Sequence, residues 1–439
     1  MLLLVAYVAI LLSPLVIARL VQPHGDAGLL DELGKSFALV AMVILMMQLV
    51  LSARFPAVSR PYGLDMVLRF HRGLAVLAVL MLLMHPILLA AGGDGWSLIF
   101  SPATPWYIWL AKIALLLLLL QAVTSLFRQR LRLRFERWRT LHNQALLIVG
   151  LGLIHSTVAG SDLQHRPMQI LWVVLAVAAV SSYTYHKVRS LGLWTPPSHT
   201  VAGLAQETHN VWTLRFEPAP GSRLSSYLPG QFHFLRLYRG DRYHGEEHPF
   251  TISSTPSDPA RLTSTIKASG DFTRTVGETK PGAPARLQGP FGRFSYLLYP
   301  HERDLVFIAG GIGITPLMSM LRHMRDTSAD LDVLLLYANR TERDIVFREE
   351  LNQIARGPRL RPRRPRLRIV HILSAPDADW RGERGYATRD VVARACGENL
   401  QGRAFYVCGP PPMMDQVIGA LRGLGVPPSR IHSERFALG

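Results

Sequence analysis

Long apolar runs fill the chain up to about residue 190. Beyond that point hydrophobic positions fall first into short alternating groups and then into an alternation of strand and helix. Six apolar stretches lie near residues 2–21, 34–53, 66–90, 105–127, 140–160 and 167–187. Each is long enough for a membrane-spanning helix, which needs about 20 residues. The first run has neither the leading positive charge nor the small-residue cleavage site of a secretory signal, so Met1–Leu20 reads as an uncleaved spanning helix. Trp194–Ser198 breaks the helical pattern and reads as a linker. Between 200 and about 298, Val211–Phe216, Gln231–Leu237 and Leu262–Lys267 alternate as strands between Pro and Gly, which predicts a small antiparallel β-barrel. From Asp304 onward, strands at Leu305–Ala309, Val333–Ala338, Ile369–Leu373 and Ala404–Cys408 are interleaved with helices at Thr315–Arg325, Ile345–Ala355 and from Pro411, which predicts a parallel α/β sheet. The expected architecture is a multidomain membrane protein: a six-helix transmembrane domain (1–193), a β-barrel domain (194–299) and an α/β domain (300–439).

Charge gives the bundle a direction. Of the 48 basic residues only Lys35, Lys112, Lys187, Lys267 and Lys280 are lysine, and the net charge is +17. Many arginines flank apolar segments, which favours a membrane surface over nucleic acid as the source of the excess. Arg54, Arg60 and Arg69 surround the second connection. Arg128, Arg130, Arg132, Arg134, Arg137 and Arg139 crowd the fourth, and Lys187 and Arg189 follow the sixth helix. The remaining connections hold Asp26, Asp31, Glu32, Asp94 and Asp162. By the positive-inside rule both termini and the even-numbered connections are cytoplasmic, and the third and fifth helices run from inside to outside. The two cysteines, Cys396 and Cys408, make no disulfide framework, so a reducing cytosol suits the soluble part. Seven arginines in Arg356–Arg368 are interleaved with prolines and read as a surface loop without chemistry.

Ionisable side chains inside a membrane are costly and usually mark function. The third helix carries His71 and His85; the fifth carries His142 and His155. A rise of about 1.5 Å per residue separates the members of each pair by roughly 20 Å. In parallel helices His71 therefore meets His142 on the inner side and His85 meets His155 on the outer side. Two facing imidazoles can ligate one haem iron axially, which implies two stacked b-type haems. The alternative is four packing or hydrogen-bonding histidines. The 14-residue gap returns to one helix face, whereas the 13-residue gap is rotated by about 140° at 100° per residue. Gly150 and Gly152 are the expected site of a compensating kink. His24, His165 and His186 read as surface residues.

Two glycine-rich turns follow predicted strands: Ala309–Pro316, which opens a helix, and Cys408–Met414. Glycine lets a backbone approach a pyrophosphate, and a helix N-terminus favours its charge. Added to the four histidines, His248-Pro-Phe-Thr-Ile-Ser-Ser254 and Gly289-Pro-Phe-Gly292 stand in an order that resembles the ferric reductase and NADPH oxidase superfamily, over nearly the whole chain. The resemblance implies an oxidoreductase that passes electrons from cytosolic NADPH, with NADH as the other donor, through FAD and two haems to an outer acceptor. It implies that His248, Pro249, Phe250 and Thr251 line the flavin, with Ser253 and Ser254 beyond them. Lys267, Gly270 and Thr273 are implied for the FAD diphosphate. Gly310, Gly311, Gly313, Thr315 and Pro316 would hold the dinucleotide, and Cys408, Gly409 and Pro410 would lie near the nicotinamide. Arg340 would take a 2′-phosphate, and Phe436 would cover the flavin. The small-molecule acceptor is expected to be a ferric chelate or oxygen. Animal NADPH oxidases add a histidine one turn after the outer ligand, where this chain has Leu89, which weakens the oxygen reading. Other readings are electron supply to a periplasmic protein or quinone, and a haem-binding transporter with a nucleotide-regulated domain. The expected location is a bacterial inner membrane.

Overall fold

The computed structural model describes residues 2–21, 28–133, 135–191, 197–222, 226–240, 246–258, 261–357, 367–397 and 400–435. It falls into two compact units, residues 1–190 and 191–439. Phe436, His24, Arg134, residues 194–196 of the expected linker and residues 358–366 of the arginine-rich tract lie outside the described residues.

The first unit has six spans long and apolar enough to cross a membrane. They are α1 (Leu2–Val21), α2 (Leu29–Ser52), α3 (Leu64–Leu89), α4 (Trp106–Leu126), the broken pair α5 (Phe135–His142) and α6 (Ala145–Ala159), and α7 (Arg166–Leu191). α2 begins five residues before the apolar run, because Asp31 and Glu32 suit the positive end of a helix. α3 continues through a wider π-helical turn, Ala90–Asp94, which Gly93 closes at φ +146°. α2 and α3 pack antiparallel. Ala41 and Ile44 of α2 share a buried cluster with Ala78 of α3, and Leu51 shares another with Val67. The outward faces keep large apolar residues such as Leu116, Ile170 and Val173, as lipid-facing helices do.

The fifth span corrects the expected kink. Gly150 and Gly152 lie inside the unbroken α6, and the helix is interrupted instead at Asn143–Gln144, directly after His142. Long-range partners fix this break. Asn143 Oδ1 accepts from Lys187 Nζ at 2.8 Å, and its carbonyl accepts from the Tyr183 hydroxyl at 3.4 Å. The Asn143 carbonyl thereby has a partner outside the helix ladder, and its side-chain amide is tied to α7.

The second unit holds two sheets. The first is antiparallel, in the order β4 (Glu247–Thr251), β3 (Phe232–Leu237), β6 (Pro284–Phe291), β1 (His199–Thr208), β2 (Val211–Pro218), β5 (Leu262–Lys267). It is six-stranded and open, not the closed barrel expected. β4 is short and contains Pro249, which has no N–H to give to a ladder. Past β4 a backbone bond from Ser253 N to Thr263 O (2.9 Å) and side-chain hydroxyls join the two edges where a ladder would close them.

The second sheet is parallel, in the order β10 (Glu383–Arg384), β9 (Leu367–Leu373), β8 (Asp332–Asn339), β7 (Asp304–Gly310), β11 (Ala404–Cys408), β12 (Ile431–Ser433). α8 (Ile314–Asp326) and α9 (Arg348–Arg356) pack on one face; α10 (Arg389–Cys396) and α11 (Pro411–Gly423) pack on the other. α9 starts three residues later than expected. Ile345, Val346 and Phe347 are buried before it, with Phe347 in the left-handed region at φ 60°. Strand order reverses between β7 and β11, so the crevice beyond their C-terminal ends is where an α/β sheet binds its ligand. Both glycine-rich turns open there.

Candidate functional site

In the first unit the structure brings His71 and His142 together. Their ring centres are 6.2 Å apart and the rings are inclined at 63°. A metal–imidazole bond is roughly 2 Å long, so two imidazoles on opposite sides of one metal need ring centres roughly 6 Å apart. Trp138, one turn before His142, stacks on it at 5.1 Å, donates to Ser125 Oγ at 3.1 Å, and has the Arg128 guanidinium 5.5 Å from its ring centre. The Nδ1 atoms of His71 and His142 are buried and have no hydrogen-bond partner among the described residues.

The second pair is held differently. His85 Nδ1 donates to the carbonyl of Gly34 at 2.9 Å, and His155 Nδ1 to the carbonyl of Tyr107 at 3.0 Å. An Nδ1–H spent on a carbonyl leaves Nε2 as the unprotonated nitrogen, the form able to ligate a metal. Gly34 permits this approach: a Cβ there would lie 3.3 Å from the His85 carbonyl and 3.2 Å from Leu89 Cδ2. Three of the four imidazoles stand on apolar helices and His142 ends the short polar α5; two are held in the ligating tautomer and two have orphaned Nδ1 atoms, and this donor set fits axial haem ligation.

In the second unit, His248 stacks on Phe272 at 4.1 Å and 23°, with Glu246 Oε2 3.1 Å from its Nε2. Phe250 lies on the same shelf, 6.2 Å from Phe272, and Arg239 covers Phe272 at 5.3 Å. Thr273 Oγ1 caps its own turn by accepting from Gly270 N (2.8 Å) and Ser269 N (2.9 Å). Lys267 ends β5 and acts electrostatically on Asp344. Burial raises the Asp344 pKa, but bonds from Thr341 and the charges of Lys267 and His209 outweigh it and hold that carboxyl below its usual range.

Thr251 is buried and pairs with Phe232, and Pro249 stands opposite Phe234. The Ser253 hydroxyl is spent on Thr263 and Thr265, and that of Ser254 on Tyr227 and on Thr263 N. Their carbonyls are held from the α/β sheet's side. Ser254 O accepts from Ser319 Oγ (2.6 Å), and Ser253 O from Arg322 Nη1 (2.6 Å). Arg322 in turn forms a two-pronged ion pair with Glu350. The sequence reading missed both α8 residues, since neither stands in a recognisable motif.

The glycine turns close on each other. A Cβ on Gly313 would meet the Cys408 carbonyl, with the Cys408 carbonyl carbon at 2.7 Å and Gly409 Cα at 2.8 Å; one on Gly310 would meet Met413 Sδ, with Pro410 Cδ at 2.9 Å. Gly311 needs its φ of +52°. Tyr337, also missed, is fully buried; its hydroxyl donates to Gly311 O and accepts from Val346 N, both at 3.2 Å. Burial pushes its phenol above the usual range. Thr315 Oγ1 donates to Ile312 O in the short turn ahead of α8, and Pro316 lies in the first turn of the helix, where a missing N–H is harmless. Arg340 is exposed just past β8, and its carbonyl accepts from Ala375 N. Cys408 is buried at the end of β11, and burial and then Glu434 push its thiol well up, so it is a neutral thiol. Glu434 itself is buried against Gly292, whose φ of +95° and missing Cβ make room for the carboxylate.

Residues 37–153 match the ferric reductase like transmembrane component, 199–282 an FAD-binding domain and 307–418 an oxidoreductase NAD-binding domain. The glycine betaine monooxygenase reductase subunit of Chromohalobacter salexigens is 34% identical over 253 residues, 55% of this chain and 65% of that protein. NADH-cytochrome b5 reductase 1 of Candida glabrata is 29% identical over 51% of this chain and 77% of its own length. The chain thus spans just under two thirds of the length of the reductase subunit it matches. Flavohemoglobin from Malassezia yamatoensis shares the fold at a TM-score of 0.52 and 16% identity, over 96% of this chain and 98% of that one. A ferric reductase-like membrane component followed by FAD-binding and NAD-binding oxidoreductase domains makes this chain a fusion of the ferric reductase/NADPH oxidase type.

Proposed function

We propose that the chain carries electrons from NADPH, with NADH as a second donor, through FAD and two b-type haems to an acceptor on the far side of a bacterial inner membrane, a ferric chelate or oxygen. The observation that carries this reading is the pairing of His71 with His142 at a ring separation of 6.2 Å, in the same chain as a flavin motif and two facing glycine turns. When bound, the flavin would take one hydride, with its two electrons, and release the electrons singly to haem, which accepts one at a time.

The chain's own residues bind and orient. Gly310, Gly311 and Gly313 let the backbone reach a pyrophosphate at the N-terminus of α8, and Thr315 and Pro316 build that turn. Cys408, Gly409 and Pro410 would lie near the nicotinamide, with the buried Cys408 thiol neutral, and the Arg340 guanidinium suits a 2′-phosphate. His248, Pro249, Phe250 and Thr251 form the flavin shelf, with Gly270, Thr273 and Lys267 toward its diphosphate. Ser253 and Ser254 keep the loop in place through their carbonyls. Phe436 is assigned to cover the flavin. His71 and His142 would ligate the inner haem, and His85 and His155 the outer. Arginine-rich connections support a cytoplasmic side for both termini and for the domains from 194 to 299 and from 300 to 439.

The test is a visible spectrum of the purified, FAD-supplied protein reduced anaerobically with NADPH, then exposed separately to air and to ferric citrate. Reduced b-type haem is expected. Its absence refutes the reading, and the faster reoxidant identifies the acceptor.

A further inference from the structure

Two seven-residue ladders face each other across α2 and α3. α2 carries Gly34, Ala41 and Gln48; α3 carries His71, Ala78 and His85. Seven residues are nearly two turns, so each ladder stays on one helix face with a drift of about 20° per step. The helices run antiparallel, so the ladders count in opposite directions. At the first rung the Gly34 carbonyl accepts from His85 Nδ1. At the second, Ala41 and Ala78, both fully buried, belong to one cluster. Beyond the third rung, Leu51 and Val67 cluster again. The third rung therefore sets Gln48 at the level of His71.

Gln48 is 7% exposed. Neither its Oε1 nor its Nε2 has a hydrogen-bond partner among the described residues, and His71 Nδ1 has none either. In a bilayer every such group costs free energy until it is paired. An amide on one helix and an imidazole on its neighbour, each buried and unmatched at one level, are complementary: the amide oxygen accepts and the imidazole Nδ1–H donates.

We propose that Gln48 is the positioning residue of the inner haem site: its Oε1 accepts the Nδ1–H of His71 and so turns Nε2 to the iron, as the Gly34 carbonyl does for His85. This rests on the haem assignment proposed above. A hydrogen bond on a ligand's remote nitrogen makes it more basic and favours ferric iron, so its loss raises the potential of that haem alone.

The test uses the full-length protein with Gln48→Leu and with the closer-sized Gln48→Met. Haem content, the two midpoint potentials and the low-spin ferric EPR signals are read in each. Both haems are expected to remain. One should rise by about 59 mV, a tenfold change in a one-electron equilibrium, with altered g-values, and the other should stay put. Two bound haems with unmoved potentials and g-values in both variants overturn the proposal. Where neither variant folds, pulsed EPR of the unmodified protein reads the remote-nitrogen couplings. One hydrogen-bonded remote nitrogen on the His71–His142 haem supports the assignment, and two unbonded ones overturn it. If the unmodified protein binds no b-type haem, the haem assignment itself falls, which is a separate result.

Discussion

Gly313→Ala tests the dinucleotide site most sharply. Gly313 has φ −62°, an ordinary helical value that alanine adopts freely, so the substitution carries no conformational strain. What it lacks is space: the added methyl would lie 2.7 Å from the Cys408 carbonyl carbon and 2.8 Å from Gly409 Cα. Ordinary contact begins at 3.4 Å, and the Cys408 carbonyl oxygen is nearer still than its carbon, so 3.4 less 2.7 makes about 0.7 Å the least by which one turn must retreat. Both neighbours are backbone and cannot swing aside. Overpacking of this kind costs about 1–3 kcal/mol. A displacement approaching 1 Å between reacting groups costs about 100-fold in rate. Anaerobic stopped-flow bleaching of the flavin by NADPH should therefore slow by about 10- to 100-fold, with FAD content and dithionite reduction unchanged. Gly311→Ala is the contrast. It has φ +52° and no atom within 4 Å of the new methyl, so it pays only left-handed strain of about 1–2 kcal/mol. Parental rate and KM for NADPH in Gly313→Ala would refute the argument that this close approach shapes the nucleotide cradle.

Three further outcomes are expected. His85→Leu should remove one haem's absorbance and stop electron transfer while NADPH still reduces the flavin; normal haem content in that variant would refute the ligand assignment. Arg322→Ala should loosen FAD, read as loss on gel filtration, because it deletes the charged hydrogen bond to Ser253 O, a bond type that contributes about 1.5–3 kcal/mol; Arg322→Lys should be intermediate, and full FAD retention in Arg322→Ala would argue against the latch. His233 is fully buried with its Nε2 2.9 Å from Ser264 Oγ, and burial and then neighbouring His199 lower its pKa to about 3. The unfolded imidazole titrates near 6.5, so the stability this neutral group contributes is present above that pH and is lost as pH falls toward 3, by about 2 kcal/mol at pH 5. His233→Gln should flatten the acid limb of FAD release between pH 6.5 and 5; an unchanged limb would assign it to other groups.

The spans, the parallel sheet and both glycine turns were legible in the chain because each is written in local periodicity. The misses share a cause in long-range partners. Asn143-Gln144 is an unremarkable dipeptide in a helix; the break there depends on Tyr183 and Lys187, some forty residues away. Gly150 and Gly152 looked like the weak point only because glycine is the local marker of one. The open edge of the antiparallel sheet follows from Pro249 and from hydroxyls that pair across it, which alternation does not reveal. Ser253 and Ser254 drew attention as part of a flavin string, yet their hydroxyls serve the protein and their carbonyls are what α8 grips. Tyr337 reads as a strand hydrophobe until its hydroxyl is seen holding Gly311.

Gly34 and Gly313 show the same physical device in two unlike settings. Neither has a positive φ, so neither is glycine for the sake of a turn. Each stands where a second main chain must come close: α3 against α2 at His85, and the β11 turn against α8 at Cys408. In the first, a backbone carbonyl orients an imidazole; in the second, two turns become one wall of a crevice. A side-chain orienter can be lost by a single substitution at its own position, whereas a carbonyl cannot. It can only be moved, and adding a methyl to the glycine beside it is the change that moves it. Gln48, in the role proposed for it, is the exception, since at the inner rung the acceptor would be a side chain. By this argument the inner site is the more readily tuned of the two, and the outer site the more rigidly specified.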